Sequence, residues 1–128
     1  MKNNGTGQAQ TDSAEGTPES LSYVIWQTDE AIALPIGAVQ ASGDASPQVR
    51  SPQRLAAVGG VAAQIGYIQQ AIVQALAGAL VGMEPTADDL VTRRDEIASL
   101  TLVAANMRLG AVGVALLELR VDEMTVAR

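Results

Sequence analysis

The sequence predicts an all-α protein: a long antiparallel helical hairpin, about 52–82 and 86–126, with a shorter N-terminal helix, completed as a bundle by oligomerisation. Three observations predict it. The apolar residues are mostly Ala, Val, Leu and Ile, with no Phe, one Trp and two Tyr. Such residues suit close helix–helix contact, whereas a globular core normally uses several aromatics. Apolar positions recur at spacings of three and four through two long stretches. The connector between them, Met83-Glu84-Pro85, is short enough to force antiparallel packing.

Residues 1–17 are polar and small, and are expected to form a disordered tail without the apolar region of a signal peptide. Residues 18–40 are expected to form the short N-terminal helix, with Thr17 as cap and Pro18 at its first position. Leu21, Ile25, Thr28 and Ile32 fall on one helical stripe. The rival reading makes Tyr23 to Trp26 a short strand, since β-branched and aromatic residues favour strands. Pro35 ends this element. Residues 41–51 are rich in turn formers and read as a flexible loop.

Ser51-Pro52 is the strongest helix start, a capping hydroxyl followed by Pro at the first position. From there Val58, Val61, Ile65, Ile68 and Ile72 trace a coiled-coil-like seam, and Gly82 is placed just past the end. Thr86 with Asp89 predicts a capped start for the second helix. That helix carries two apolar stripes. Ile97, Leu100, Met107 and Val114 face the first helix across the seam. Leu102, Leu109, Val112, Leu116 and Leu119 form the other. One partner helix covers only one stripe, so the second is assigned to an interface with another copy or a helical partner.

Composition narrows the chemistry. There is no His and no Cys, and Lys2 is the only lysine. The usual general base, thiolate nucleophile and Schiff-base amine are therefore missing, and no catalytic, cofactor or metal residue is assigned. The net charge of -6, scattered arginines and few aromatics exclude a nucleic-acid interface. Asp88, Asp89, Asp95 and Glu96, set among Arg93 and Arg94, read as a solvated helix start rather than a carboxylate site. Arg108 reads either as a side chain at the edge of the seam or as a buried pairing that sets register. Trp26 reads as a docking residue for the N-terminal helix or as an anchor for a partner. Gln69-Gln70 could bond across an interface or face solvent.

Membrane insertion is the alternative. No charge occurs between Arg54 and Glu84, and Gly78 and Gly82 form a Gly-x-x-x-Gly pair. Four glutamines within that span, and a mean hydropathy of only +0.17, weigh against it. The expectation is a cytoplasmic, non-catalytic, self-assembling or partner-binding protein. Gln27-Thr28-Asp29 followed by Pro35, with Gln69-Gln70 in an Ala-rich helix, loosely resembles the small self-assembling proteins of bacterial R-bodies over about half the chain. That resemblance implies a subunit of a polymer. The long second helix departs from their pattern, and no residue role is carried across.

Overall fold

The computed structural model describes residues 21–127. The polar tail 1–17 and the Thr17-Pro18 cap lie outside them. The described chain is not all-α. Its elements run β1 (Val24–Gln27), β2 (Ile32–Leu34), β3 (Gly37–Val49), α1 (Pro52–Ala56), α2 (Val61–Met83), α3 (Asp89–Thr92), α4 (Arg94–Leu109) and β4 (Val114–Ala127). The four strands form one antiparallel sheet with β3 at its centre. β1 and β2 pair with successive stretches of one edge of β3, and β4 runs along the whole of the other. The expected helical hairpin, coiled coil and N-terminal helix are thereby corrected to a sheet with α2 and α4 packed on one face.

Residues 41–51, expected as a loop, lie mostly in the central strand. Its inward positions are Val39, Ala41, Gly43, Ala45 and Pro47, and all are buried. Trp26 lies opposite Gly43 across the β1–β3 pairing, and Gly43 leaves room for its ring. A Cβ at Gly43 would lie 2.9 Å from Trp26 Cζ2 and would strike the carbonyl oxygen of Arg120. Pro47 sits beyond the β1 pairing and beside a bulge, where a missing N–H is tolerated. Pro35 and Ile36 form the two-residue turn between β2 and β3, with Gly37 at φ +134°.

β4 was expected as the last turns of a helix. Its register against β3 skips Leu117 and Asp122, each the extra residue of a β-bulge. The inward residues therefore fall at Val114, Leu116, Leu119, Val121 and Met124, all buried. Two bulges turn a spacing of two into alternating steps of two and three. That pattern mixes Leu116 with Leu119, and Val114 with Val121, as a helical stripe does.

The helical signals between these strands are present. Ser51 Oγ accepts the Arg54 N–H at 3.4 Å. α1 then ends after one turn, and Gly59 at φ +137° breaks the chain before α2. The left-handed residue after α2 is Glu84, not Gly82, and its N–H closes on the Leu80 carbonyl at 3.1 Å. Thr86 and Asp89 cap reciprocally: Thr86 N–H donates to Asp89 Oδ2 at 2.9 Å, and Asp89 N–H to Thr86 Oγ1 at 3.2 Å. α4 stops at a 3-10 turn, Gly110–Val112. Gly113 then takes φ +76°, where a Cβ would lie 2.5 Å from Ser51 Cβ. Its carbonyl accepts the N–H groups of Arg50 and Ser51 at 2.7 and 3.0 Å, locking the start of β4 to the end of β3.

The core lies between the helices and the inward face of the sheet. Leu21, Trp26, Val39, Ile68, Ile72, Leu76, Leu80, Ile97 and Leu109 are its largest fully buried apolar side chains.

Candidate functional site

Buried polar residues and exposed apolar ones mark where a fold departs from simple packing. Three regions do so here: the two edges of the sheet, its outward face, and the outward face of α4.

Both sheet edges are held by side chains from the helices. On the β4 edge, Asn106 Nδ2 donates to the Leu116 carbonyl at 3.2 Å while Leu116 N–H donates to Asn106 Oδ1 at 2.6 Å. Further along, Arg94 Nη1 donates to the Asp122 carbonyl at 2.9 Å, at the second bulge. On the β1 edge, Gln69 Nε2 reaches from α2 to the Ile25 carbonyl at 2.8 Å. Nothing in the sequence analysis assigned these roles. The available signal was an amide or guanidinium set in an otherwise apolar helical run.

Beside the β1 edge lies a cleft of about 1060 Å³ between β1 and α2. Ile25 and Val73 contribute apolar surface, and Asp29 and Glu30 line it from the chain linking β1 to β2. Thr28 ends β1 with its N–H donated to the Ala41 carbonyl at 2.9 Å, and its Oγ1 accepts the Ala41 N–H at 3.0 Å. This double contact lets Asp29 and Glu30 swing clear of the sheet before β2 resumes.

On the outward face, Asp44 is buried although charged, at 7% exposure. Arg120 meets it with two donors, Nη2 to Oδ2 at 2.8 Å and Nε to Oδ1 at 3.2 Å. Tyr23 OH donates to Oδ2 at 3.0 Å. The paired guanidinium holds the Asp44 carboxyl below its ordinary range, with the Tyr23 hydrogen bond acting in the same direction against burial. The same hydrogen bond raises the Tyr23 phenol. Asp44 and Arg120 are register partners across β3 and β4, so the pair ties β4 to the central strand between its two bulges.

The residues assigned to the seam divide. Ile68, Ile72, Ile97 and Val114 are buried, Val58 and Ile65 are half-buried, and Val61, Leu100 and Met107 are exposed. The second stripe lies inside the chain: Leu109, Leu116 and Leu119 are buried, and Leu102 and Val112 pack partly against the core. The sheet supplies the cover that a second helix could not. Trp26 is buried at 1% exposure, with Nε1 donating to the Asp44 carbonyl at 3.3 Å. Arg108 is exposed and joins α4 to α2 through Gln74 Oε1 at 2.9 Å.

What remains uncovered on α4 is a stripe of Leu100, Val103 and Met107, exposed by 42, 61 and 79%. Near its start, Arg93 pairs with Glu96 at 2.8 Å and approaches Asp89 at 3.8 Å. Among the described residues no group of three or more His, Cys, Asp or Glu is placed to hold a metal ion. α2 is, by length and composition, the one described helix able to cross a membrane. No protein-family model matches the chain, and no curated protein resembles it detectably in sequence.

Proposed function

We propose that this is a non-catalytic interaction protein that associates with a second copy of itself through the outward face of α4. The observation that carries the reading is the exposed stripe Leu100, Val103 and Met107, set on a helix whose other side is buried in the core. Helix charge supports a two-fold pairing. Asp95 and Glu96 stand in the first turn of α4 and Arg108 in the last. Two such helices packed antiparallel about Val103 bring each Arg108 within about one turn of the other's Asp95, which forms no ion pair among the described residues. The absence of His and Cys from the sequence supports a role in binding rather than in catalysis.

Membrane insertion of residues 55–83 competes less well. α2 contributes Ile68, Ile72, Leu76 and Leu80 to the core. Withdrawing α2 bares to water the side chains it covers on β1 and α4, at about 1.5–3 kcal/mol for each one fully uncovered.

Light-scattering mass after size exclusion, without detergent, tests the reading. A discrete dimer is expected, converted to monomer by Met107→Glu with the helix and strand content unchanged. A monomeric parent protein, or a dimer that survives both Met107→Glu and Val103→Glu, overturns it. An open-ended aggregate would instead favour a polymer subunit.

A further inference from the structure

The backbone of β1 faces two ways. Val24 and Trp26 lie opposite Ala45 and Gly43, and the next even residue, Thr28, sends its N–H to Ala41. In an antiparallel pair, successive residues turn their backbone groups to alternate sides. Ile25 and Gln27 therefore turn theirs away from β3, into the cleft with α2. The hydrogen bond from Gln69 Nε2 to the Ile25 carbonyl, 2.8 Å long, fits this orientation. An N–H donor thus already occupies the place that an added strand would fill.

We propose that β1 accepts an extended, basic segment of a partner protein as a further strand, laid in the cleft between β1 and α2. Several features set the occupant. The cleft, at about 1060 Å³, lies at the upper end of small-ligand pocket sizes and has room for a chain segment. Gly66 lies on its α2 wall with nothing within 4 Å of the place a Cβ would take, so a backbone can come close there. Asp29 and Glu30 line the same cleft, and none of the ion pairs among the described residues uses them. Two carboxylates on a protein of net charge -6 favour lysine or arginine in the incoming segment. Strand addition takes its affinity from the main chain and its selectivity from such side-chain positions. Gln69 is then a placeholder that the incoming strand displaces. This site lies apart from the α4 face, so either proposal can fail without the other.

The test uses the isotope-labelled full chain and two capped eight-residue peptides, one alternating Val and Arg, the other alternating Val and Glu. The basic peptide is expected to slow amide exchange at Ile25 and Gln27 by at least about tenfold, and the acidic one to leave it unchanged. Gln69→Ala is expected to tighten binding roughly two- to fivefold by removing the placeholder bond. Gln27→Pro deletes an outward N–H without touching the ladder, and should abolish binding while the thermal transition persists. Asp29→Asn with Glu30→Gln should weaken binding and flatten its salt dependence. Equal response to the acidic peptide, or no tightening in Gln69→Ala, overturns the proposal. So does protection without peptide, whether it rises with protein concentration (a second copy) or vanishes on removing residues 1–20 (the chain's own segment).

Discussion

The side-chain amide of Asn106 occupies the β4 edge as another strand would, taking both the N–H and the carbonyl of Leu116 at 2.6 and 3.2 Å. An open strand edge is a template for unwanted pairing, and proteins cover or charge such edges. Here α4 covers one edge through Asn106 and Arg94, and α2 reaches the other through Gln69.

Asn106→Leu should therefore act twice. It leaves a part-buried N–H and carbonyl without their partner, which costs about 1–3 kcal/mol in urea unfolding. It also bares the β4 edge, so light scattering should show new association that Met107→Glu does not reverse. Unchanged stability would mean that solvent satisfies Leu116 as well as Asn106 does.

Gly43→Ala should be among the most damaging single changes. The added methyl meets the Arg120 carbonyl oxygen and, at 2.9 Å, the ring of Trp26. Backbone cannot yield as a flexible side-chain end can, so a loss of about 3 kcal/mol or more is expected in denaturant unfolding. A shift of Trp26 fluorescence should accompany it.

Asp44 predicts an acid-sensitive contribution to stability. Its folded-state pKa is lowered, first by the Arg120 hydrogen bonds. A depressed carboxylate contributes stability in full above the unfolded value near 3.8, and loses it as pH falls through the lower folded value. Asp44→Asn should flatten the slope of stability against pH below about 4. Glu96 is lowered likewise by Arg93, so part of the slope should remain. Because Arg120 is 63% exposed, solvent screening should keep the pair's contribution at neutral pH small.

Gly78→Ala should stabilise the protein. Gly78 is exposed within α2, and nothing lies within 4 Å of an added Cβ. Replacing it relieves the chain-entropy cost of a helical glycine by about 0.5–1 kcal/mol in thermal unfolding. A destabilised variant would show that Gly78 is in close contact with another molecule, as the Gly-x-x-x-Gly spacing with Gly82 first suggested.

Local chemistry was legible wherever a signal acts within one turn of chain. Ser51-Pro52 starts a helix, and Thr86 with Asp89 forms a reciprocal cap. The apolar spacing of Ile68, Ile72 and Ile97 marks residues that are buried. Each of these depends on neighbours three or four positions away, which the sequence displays directly. The candidate edge site was not legible. Gln69 meets Ile25 across 44 positions, and Arg120 meets Asp44 across 76.

The sequence by itself determined the helix starts at Ser51-Pro52 and Thr86, the helical run through Ile68 and Ile72, and the lack of histidine and cysteine. Tertiary structure decided which remaining segments became strands. β3 carries Gly, Ser, Asp and Pro, which read as a loop, and is a central strand because β1, β2 and β4 pair along both its edges, with Gly43 leaving room for Trp26. β4 carries a pattern compatible with a helix. Gly113 stops α4, and the bulges at Leu117 and Asp122 restore one inward face opposite β3. A period of two survives in sequence only while a strand stays regular. Pairing with β3 gives β4 its form, and that pairing is a property of the folded chain.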